Sequence, residues 1–184
     1  MICYLVRHGK DDETIRGGWC DATLCKEGIK QVENLGLKLS QDRNFHVGCI
    51  YTSDLARAKQ TAFILNHFLN VPLVISPQFR EVNNGALAGM KNEIASEKYP
   101  GLYWNTLNWE QSYPDGESPM AFYERICLAW EQFKIDIADL PNPVMLVTHG
   151  GVINVIQCLE HGVLYTNKAN PYPVGYAGII AVEI

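Results

Sequence analysis

Short apolar runs alternate along the chain with longer segments in which apolar residues recur at helical spacing. In one of the longer segments, Ile29, Val32 and Leu35 would share one helical face. The pattern predicts strands at 2–6, 47–51, 73–75, 144–147 and 178–183, and helices at 26–39, 55–69, 117–138 and 151–161. Strands that alternate with helices are typical of a mainly parallel sheet covered on both faces, so we expect an α/β fold.

Residues 77–119 break this alternation. The segment is rich in Gly, Asn, Pro, Trp and Tyr, and only 92–98 has the spacing of a short helix. Long irregular segments in compact domains are usually lids or binding loops, so we expect 77–119 to cover a substrate site within a single domain spanning 1–184. Its aromatic side chains would either pack on a substrate or fill a small core under the loop; they are Tyr99, Tyr103, Trp104, Trp109 and Tyr113.

Charge and composition narrow the class of protein. The 184-residue chain has a net charge of −5, which argues against nucleic acid or an anionic membrane as its main partner. No apolar stretch approaches the roughly 20 residues of a membrane span. The six cysteines include no C-x-x-C pair, so zinc and redox motifs get little support, and reduced thiols in a cytoplasmic protein are expected. The sequence does not determine the oligomeric state.

Two of the predicted strands end in a histidine followed by a glycine. Arg7, His8 and Gly9 follow the first strand, and His149 with Gly150 follows the fourth. Ligands in open α/β sheets bind beyond the carboxyl ends of the strands, where these side chains would meet. Arg7 and His8 could instead merely cap a strand, but two such endings in one small chain favour a shared site.

An arginine and a glutamate follow the two remaining parallel strands. Arg57 lies one turn into the helix after the second strand, where the helix N-terminus and a guanidinium would both favour an anion. A solvated helix arginine is the alternative. Glu81 follows the third strand and is the natural proton donor or acceptor, unless it forms a surface ion pair with Arg80.

These residue types fit phosphoryl transfer through a histidine. A neutral imidazole is nucleophilic, and neighbouring arginines disfavour its protonation while they neutralise the phosphate under attack. A second histidine would stabilise the transferring oxygens, and a carboxylic acid would protonate the leaving oxygen and then activate water. We therefore expect no metal and no cofactor, because side chains supply the cations and Arg7 and Arg57 would repel a metal ion.

Five short motifs, in this order, resemble those of the histidine phosphatase superfamily, also called phosphoglycerate-mutase-like proteins, across nearly the whole chain. The motifs are Arg7-His8-Gly9, the stretch from Ser53 to Ala62, Glu81 with Gly85, Gly116-Glu117-Ser118, and Thr148-His149-Gly150. The resemblance implies a three-layer α/β/α sandwich with one antiparallel edge strand. It also implies that His8 is phosphorylated and that Glu81 is the proton donor. The implied phosphate pocket consists of Arg7, Arg57, His149 and Gly150.

The loop at 10–19 departs from the family pattern. Members usually continue the first motif with Glu or Gln, then Thr or Ser, and a few residues later an asparagine that helps to hold phosphate; this loop has no asparagine. In one interpretation, Glu13 and Thr14 are the usual pair displaced by an insertion, and Arg16 takes over a phosphate contact. In the other, the acidic run 11–13 is a solvated loop, which the repulsion between carboxylates and phosphate favours.

Two features bear on the type of reaction. The loop from Asn84 to Gly89 resembles that of the mutase branch, but only a modest segment separates Gly89 from Gly116. The cofactor-dependent mutases carry a longer insertion there, and a longer C-terminal tail, which shield the phosphohistidine from water. An open phosphohistidine hydrolyses, so the sequence favours a phosphomonoesterase acting on a small phosphorylated metabolite. The alternatives are a mutase-type phosphoryl transfer and a phosphate-ester-binding protein without turnover, against which the retained Glu81 argues.

Overall fold

A computed structural model describes all residues from 1 to 184. The strands are β1 (Ile2–Arg7), β2 (Cys49–Thr52), β3 (Leu73–Ile75), β4 (Val144–Thr148) and β5 (Ile179–Glu183). The α-helices are α1 (Lys26–Gln41), α2 (Ala56–Leu69), α3 (Asn92–Lys98), α4 (Pro119–Ile137) and α5 (Gly150–Glu160). Every predicted strand and helix is present, and their ends differ from the predicted ones by at most two residues.

The strands form one sheet in the order β3-β2-β4-β1-β5, in which only β5 runs antiparallel to its neighbour. The central strand β4 is buried along its whole length. Its side chains alternate between two cores, because successive residues of a strand point to opposite faces. Val144 and Leu146 pack with α4 and α5, whereas Met145 and Val147 pack with α1 and α2. This arrangement confirms the α/β/α sandwich with a mainly parallel sheet.

The register of the parallel strands brings their carboxyl ends to one level. Arg7 on β1 lies opposite Thr148 on β4, and Thr52 on β2 lies opposite Val147. The residues that follow these three strands therefore emerge side by side at one edge of the sheet. No helix in the structure is both long enough and apolar enough to cross a lipid bilayer.

The segment 77–119 folds over this edge. Besides α3, it contains three short 3-10 turns at 77–79, 85–87 and 104–106. Leu87, Leu107 and Tyr113 form a small buried cluster, against which Tyr99 and Trp104 pack. Part of the aromatic content of this segment thus fills a small core beneath the loop.

Candidate active site

His8 follows β1 and is held in one orientation by the next residue. Its Nδ1 lies 2.8 Å from the carbonyl oxygen of Gly9. A carbonyl can only accept a hydrogen bond, so Nδ1 carries the proton and Nε2 keeps its lone pair. A side chain at position 9 would come within 2.6 Å of the Gly28 carbonyl oxygen, so only glycine lets the chain pass α1 this closely. Burial, the Arg57 charge and the Arg7 charge lower the pKa of His8 to about 3, so the ring is neutral at neutral pH.

His149 follows β4 and lies beside His8, with 5.1 Å between the two ring centroids. It is fully buried, and its Nε2 lies 2.9 Å from the hydroxyl oxygen of Ser53. Its Nδ1 is buried without a hydrogen-bond partner. Burial, followed by the charge of Arg57, lowers the pKa of His149 well below the ordinary histidine value. The site therefore holds two neutral imidazoles side by side.

Arg57 lies in the first turn of α2 and is only 2% exposed, which excludes a solvated helix arginine. Its Nη2 donates to the carbonyl oxygen of Gly18 at 2.8 Å, and its Nη1 donates to that of Cys20 at 3.3 Å. These two bonds direct Nε towards His8, with 3.3 Å between Nε and Nε2 of the imidazole. The loop before α1 thus aims a permanent positive charge at the histidine.

Arg7 completes the group of cations. Its Nη1 donates to the carbonyl oxygen of Val174 at 2.8 Å, and its guanidinium carbon lies 4.0 Å above the ring of Tyr176. The Tyr176 ring is also 5.8 Å from the His8 ring. The Nε of Arg7 is buried and has no partner within the protein. A donor in this position is available to an anion.

Glu81 is not paired with Arg80, which instead forms a two-pronged ion pair with Asp54. One carboxylate oxygen of Glu81 accepts from the backbone N–H of Gly151 at 3.1 Å, and the other accepts from the N–H of Val82 at the same distance. A Cβ at position 151 would overlap the second of these oxygens, Oε1, so the carboxylate needs glycine there. Glu81 therefore sits at the N-terminus of α5, where two backbone N–H groups hold its carboxyl group in place.

Two further side chains fix the backbone of Glu81. The indole N–H of Trp19 donates to its carbonyl oxygen at 2.6 Å, and Nη2 of Arg125 donates to the same oxygen at 3.1 Å. Arg125 is in turn paired with Glu117, which belongs to the fourth sequence motif. That motif thus contributes to the position of the acid rather than to the site itself.

The acidic run 11–13 is only partly the solvated loop that was expected. Asp12 and Glu13 are exposed, but the Asp11 side chain is 11% exposed, and its Oδ2 lies 3.4 Å from Nε of Arg57. The prediction is therefore wrong for Asp11. The buried guanidinium of Arg57 attracts a counter-charge, and Asp11 supplies it at the cost of part of its solvation. Burial raises the pKa of the Asp11 carboxyl, because the desolvation penalty exceeds the opposing effect of Arg57.

Of the two candidates in the loop at 10–19, Arg16 reaches the cavity around His8 and Thr14 does not. Arg16 lines the cavity around His8 at its rim, where its guanidinium carbon lies 4.3 Å over the ring of Tyr103. Thr14 is exposed, and both its N–H and its hydroxyl donate to Oδ1 of Asp12. Thr14 does not line the cavity, so the structure does not bring this residue into the site.

Two cavities meet at Arg7 and Glu81. The first, which we call the cup, has a volume of about 360 Å³ and is lined by Arg7, His8, Asp11, Arg57, Glu81 and Tyr176, among others. The second, which we call the side cavity, has a volume of about 560 Å³ and lies on the other side of Arg7 and Glu81. Gly150 lines the side cavity, whereas His149 lies behind the cup and lines neither. The structure contains no group of three or more His, Cys, Asp or Glu side chains arranged to hold a metal ion.

Sequence reasoning missed three residues of this site. Ser53 belongs to the second motif, but its hydrogen bond to His149 joins residues 96 positions apart. Asp11 was visible only as part of an acidic run. Tyr176 had no pattern to identify it, because it lies in an irregular segment far from the motifs.

Three comparisons place the chain among known proteins. A family model described as histidine phosphatase superfamily (branch 1) matches residues 3–184. The uncharacterized phosphatase PhoE of Bacillus subtilis is 30% identical over 158 residues, covering 84% of this chain and 74% of its own. A 2,3-bisphosphoglycerate-dependent phosphoglycerate mutase of Lactobacillus johnsonii is 35% identical over 115 residues, covering 59% of this chain and 49% of its own. The crystal structure of alpha-ribazole phosphatase from Shigella flexneri has the same fold, with a TM-score of 0.84 at 21% identity over 100% of this chain and 91% of that one.

Proposed function

The chain belongs to the histidine phosphatase superfamily, and we propose that it is a phosphomonoesterase that works through a phosphorylated His8. Its relatives are phosphatases and phosphoglycerate-mutase-like enzymes. One observation carries the proposal: Nε2 of His8 keeps its lone pair while Nδ1 is bonded to the Gly9 carbonyl, and this unprotonated nitrogen faces Arg57 in the cup. That combination supports an attack on a phosphorus atom held by cations.

The first step transfers the phosphoryl group to the protein. Nε2 of His8 forms a bond to phosphorus as the bond between phosphorus and the ester oxygen breaks, and the leaving oxygen takes a proton from Glu81. Arg7 and Arg57, which line the cup, stabilise the charge on the three equatorial oxygens, and His149 packs behind His8. The products are the alcohol and phospho-His8, with Glu81 left as a carboxylate.

The second step returns the protein to its starting state. Glu81 now accepts a proton from water, the water oxygen forms a bond to phosphorus, and the bond between Nε2 and phosphorus breaks. Inorganic phosphate leaves, His8 is neutral again and Glu81 is protonated for the next cycle. The low pKa of His8 supports this step, because an imidazole that resists protonation by solvent is ready for a new attack as soon as phosphate departs.

We propose that the enzyme consists of a single domain and that its substrate is a small phosphorylated metabolite. Residues 77–119 would cover the site, since this segment carries Glu81 and lines both cavities. No metal is needed in these steps, because guanidinium groups supply the positive charge that a metal would supply elsewhere.

All six cysteines are free thiols, which supports the prediction of a reducing compartment such as the cytoplasm.

A mutase-type transfer is the second candidate, favoured by the Gly85-Ala86-Leu87 turn and by the mutase relative. In that reaction phospho-His8 would pass its phosphoryl group to a bound alcohol instead of water. A requirement for a bisphosphate primer, with little free phosphate released, would establish it. The cup and the side cavity are both open to solvent, and this access favours hydrolysis.

Trapping the phosphoenzyme tests the proposal. The protein is mixed with a radiolabelled phosphate monoester, quenched in alkali, which preserves phosphohistidine, and digested to locate the label. We expect the label on His8. It should be absent from His8→Ala and present in the matched control His46→Ala, which changes an exposed histidine. A His8→Ala protein that hydrolyses the ester at the parental rate would refute the covalent mechanism.

A further inference from the structure

The side cavity is larger than the cup, and the two proposed chemical steps do not use it. It shares Arg7 and Glu81 with the cup but is not lined by His8. Its volume of about 560 Å³ falls within the range of about 300–1,000 Å³ that is usual for small-molecule sites.

The in-line geometry of phosphoryl transfer points the leaving group towards this cavity. The attacking and leaving atoms lie on opposite sides of phosphorus, so the alcohol must project away from Nε2 of His8. The proton donor must lie next to the leaving oxygen, and Glu81 forms the boundary between the cup and the side cavity. The body of the alcohol would therefore lie in the side cavity, beyond Glu81.

The walls of the side cavity are fixed before any ligand arrives. Asn167 is buried, and its Nδ2 donates to the carbonyl oxygens of Trp104 and Leu107 at 2.6 and 3.0 Å. Lys168 donates to the carbonyl oxygen of Asn105 at 3.0 Å and also to that of Leu107. These bonds tie the C-terminal wall to the cover segment. They also commit both amide hydrogens of Asn167, so its Oδ1 remains as an acceptor.

Asn154 adds an unsatisfied amide to the same cavity. It lies one turn into α5, is 5% exposed, borders the side cavity and has an Oδ1 without a hydrogen-bond partner. A buried amide oxygen left unpaired costs free energy, which a ligand hydroxyl would recover by donating a hydrogen bond to it. Further polar residues line the same cavity, namely Asn105, Thr166, Asn167 and Asn170.

The lining combines this polar ring with an apolar surface and carries little free charge. Phe122 and Tyr165 are buried and contribute their rings, and Trp104 lies against Phe122 with 5.5 Å between centroids. Lys168 is the one charged residue outside the pair shared with the cup, and its ammonium is already bonded to two carbonyl oxygens. No arginine beyond Arg7 is present to bind a carboxylate or a second phosphate. Amides beside aromatic rings suit a body with many hydroxyl groups and an apolar face.

We propose that the side cavity binds the alcohol portion of the substrate, and that this alcohol is neutral and polyhydroxylated, as in a sugar or polyol monophosphate. The inference rests on the proposed phosphomonoesterase function and adds the class of substrate. Carboxylated or doubly phosphorylated esters would meet amides, no arginine beyond Arg7, and one ammonium that already donates two of its three hydrogens to carbonyl oxygens.

A matched pair of esters tests the charge preference. Glycerol 3-phosphate and 3-phosphoglycerate differ only in a hydroxymethyl group against a carboxylate. We expect kcat/KM to be about tenfold or more higher for the neutral ester, and higher still for a hexose 6-phosphate. A neutral hydroxyl matches the amides of the lining, whereas a carboxylate would have only the partly used ammonium of Lys168 to pair with. A preference for the carboxylated ester, or equal values for all three, would overturn the proposal.

Two variants test the location. Ala169→Trp would fill the cavity from its exposed rim, and Asn154→Leu would remove the buried amide; Leu164→Trp is the matched control, since Leu164 lies in the same segment, is 91% exposed and does not line the cavity. We expect KM for hexose 6-phosphate to rise about tenfold in the first two variants and to stay unchanged in the control. The inhibition constant of inorganic phosphate, which reports on the cup, should stay within about twofold throughout, because these substitutions lie outside the cup. An unchanged KM in Ala169→Trp, with the phosphate constant preserved, would place the alcohol elsewhere.

Failure of the proposed function can be told apart from failure of this inference. If the protein hydrolyses none of the esters, the phosphomonoesterase proposal fails, and calorimetric binding of the same three esters to the parent and to Ala169→Trp still decides the cavity's role. Tighter binding of hexose 6-phosphate than of 3-phosphoglycerate, weakened by Ala169→Trp, supports the inference. Equal dissociation constants for all three esters, unchanged in Ala169→Trp, would refute it.

Discussion

Oδ2 of Asp11 lies 3.4 Å from Nε of Arg57, and the same nitrogen lies 3.3 Å from Nε2 of His8. A carboxylate thus stands in the cup, next to the atom that we propose as the nucleophile. Its partner Arg57 is also a proposed phosphate ligand. Asp11 and a phosphate dianion would therefore compete for one cation and repel each other, which limits how tightly the cup holds phosphate.

Removing this negative charge should tighten the binding of phosphate. In Asp11→Asn the side chain keeps its shape but loses its charge, so we expect the inhibition constant of inorganic phosphate at about pH 7 to fall about tenfold, equivalent to about 1.4 kcal/mol. Steady-state inhibition and calorimetry both measure this change. Asp21→Asn is the control, because Asp21 is exposed and does not line the cup. Weaker phosphate binding in Asp11→Asn would instead identify Asp11 as a phosphate contact.

Glu81→Gln should separate good leaving groups from poor ones. Glutamine can still accept from the Gly151 N–H, so the geometry is kept while the transferable proton is lost. For an alkyl phosphate we expect the rate of phosphoenzyme formation to fall about 10²–10⁴-fold. For p-nitrophenyl phosphate, whose leaving group needs no proton, the rate of formation should change little and the phosphoenzyme should accumulate. Rapid-quench measurements on both esters test this, and equal losses on both would contradict a proton donor at Glu81.

Gly151→Ala should displace the same carboxylate without removing it. A Cβ at this position would overlap Oε1 of Glu81, so the donor must move away from the leaving oxygen. We expect turnover of an alkyl phosphate to fall about a hundredfold, while inhibition by inorganic phosphate persists, because the cup keeps both arginines. Gly175→Ala is the control, since a Cβ there meets no atom within 4 Å. Parental turnover in Gly151→Ala would show that the position of Glu81 is not critical.

Stability should fall in acid because His8 and His149 are buried as neutral rings. An unfolded histidine takes up a proton below its ordinary pKa of 6.5, whereas folded His8 does so only near about 3. The unfolded state therefore binds more protons within that window, and stability present above pH 6.5 is lost as the pH falls. Each such histidine lowers the free energy of unfolding by about 1.4 kcal/mol per pH unit in that window.

Comparison with His8→Asn isolates the contribution of one ring. Between about pH 7 and about pH 5, urea unfolding of the parent should lose about 2 kcal/mol more than unfolding of the variant. The carboxylates titrate alike in both proteins, so they cancel in the difference. Identical pH dependence in the two proteins would mean that folded His8 takes up its proton at the ordinary histidine pKa.

Metal removal should leave activity unchanged. Arg7 and Arg57 flank the imidazoles and repel cations, and they supply the charge that the transferring oxygens require. Hydrolysis rates of the dialysed protein with and without a chelator are expected to agree. Strong inhibition by the chelator, reversed by added metal, would contradict the proposed roles of the arginines.

Much of the site followed from the sequence because its main parts stand at strand ends. The alternation of strands with helices predicts a parallel sheet, and parallel strands deliver His8 and His149 to the same edge. Arg57 was identified for the same reason, as a residue in the first turn of a helix that follows a strand. These relations depend on local periodicity and on general topology, both of which can be seen in one sequence.

Other features depended on contacts between distant segments. Asp11 belongs to an acidic run, which its charge predicts to be solvent-exposed. The buried guanidinium of Arg57, 46 positions away in the sequence, draws its carboxylate inward. Arg80, the sequence neighbour of Glu81, forms its ion pair with Asp54 instead. The sequence around Glu81 therefore could not show that its carboxyl group is unpaired with Arg80.

The sequence by itself therefore determined the sheet, its helices, the family and the residues at the strand ends. Only the tertiary structure decided which carboxylate faces the histidine, and where the alcohol would lie. The first group follows from periodic burial along one stretch of chain. The second depends on how charges and unpaired amides such as Asn154 are satisfied by residues brought together in folding, and no local pattern encodes those partners.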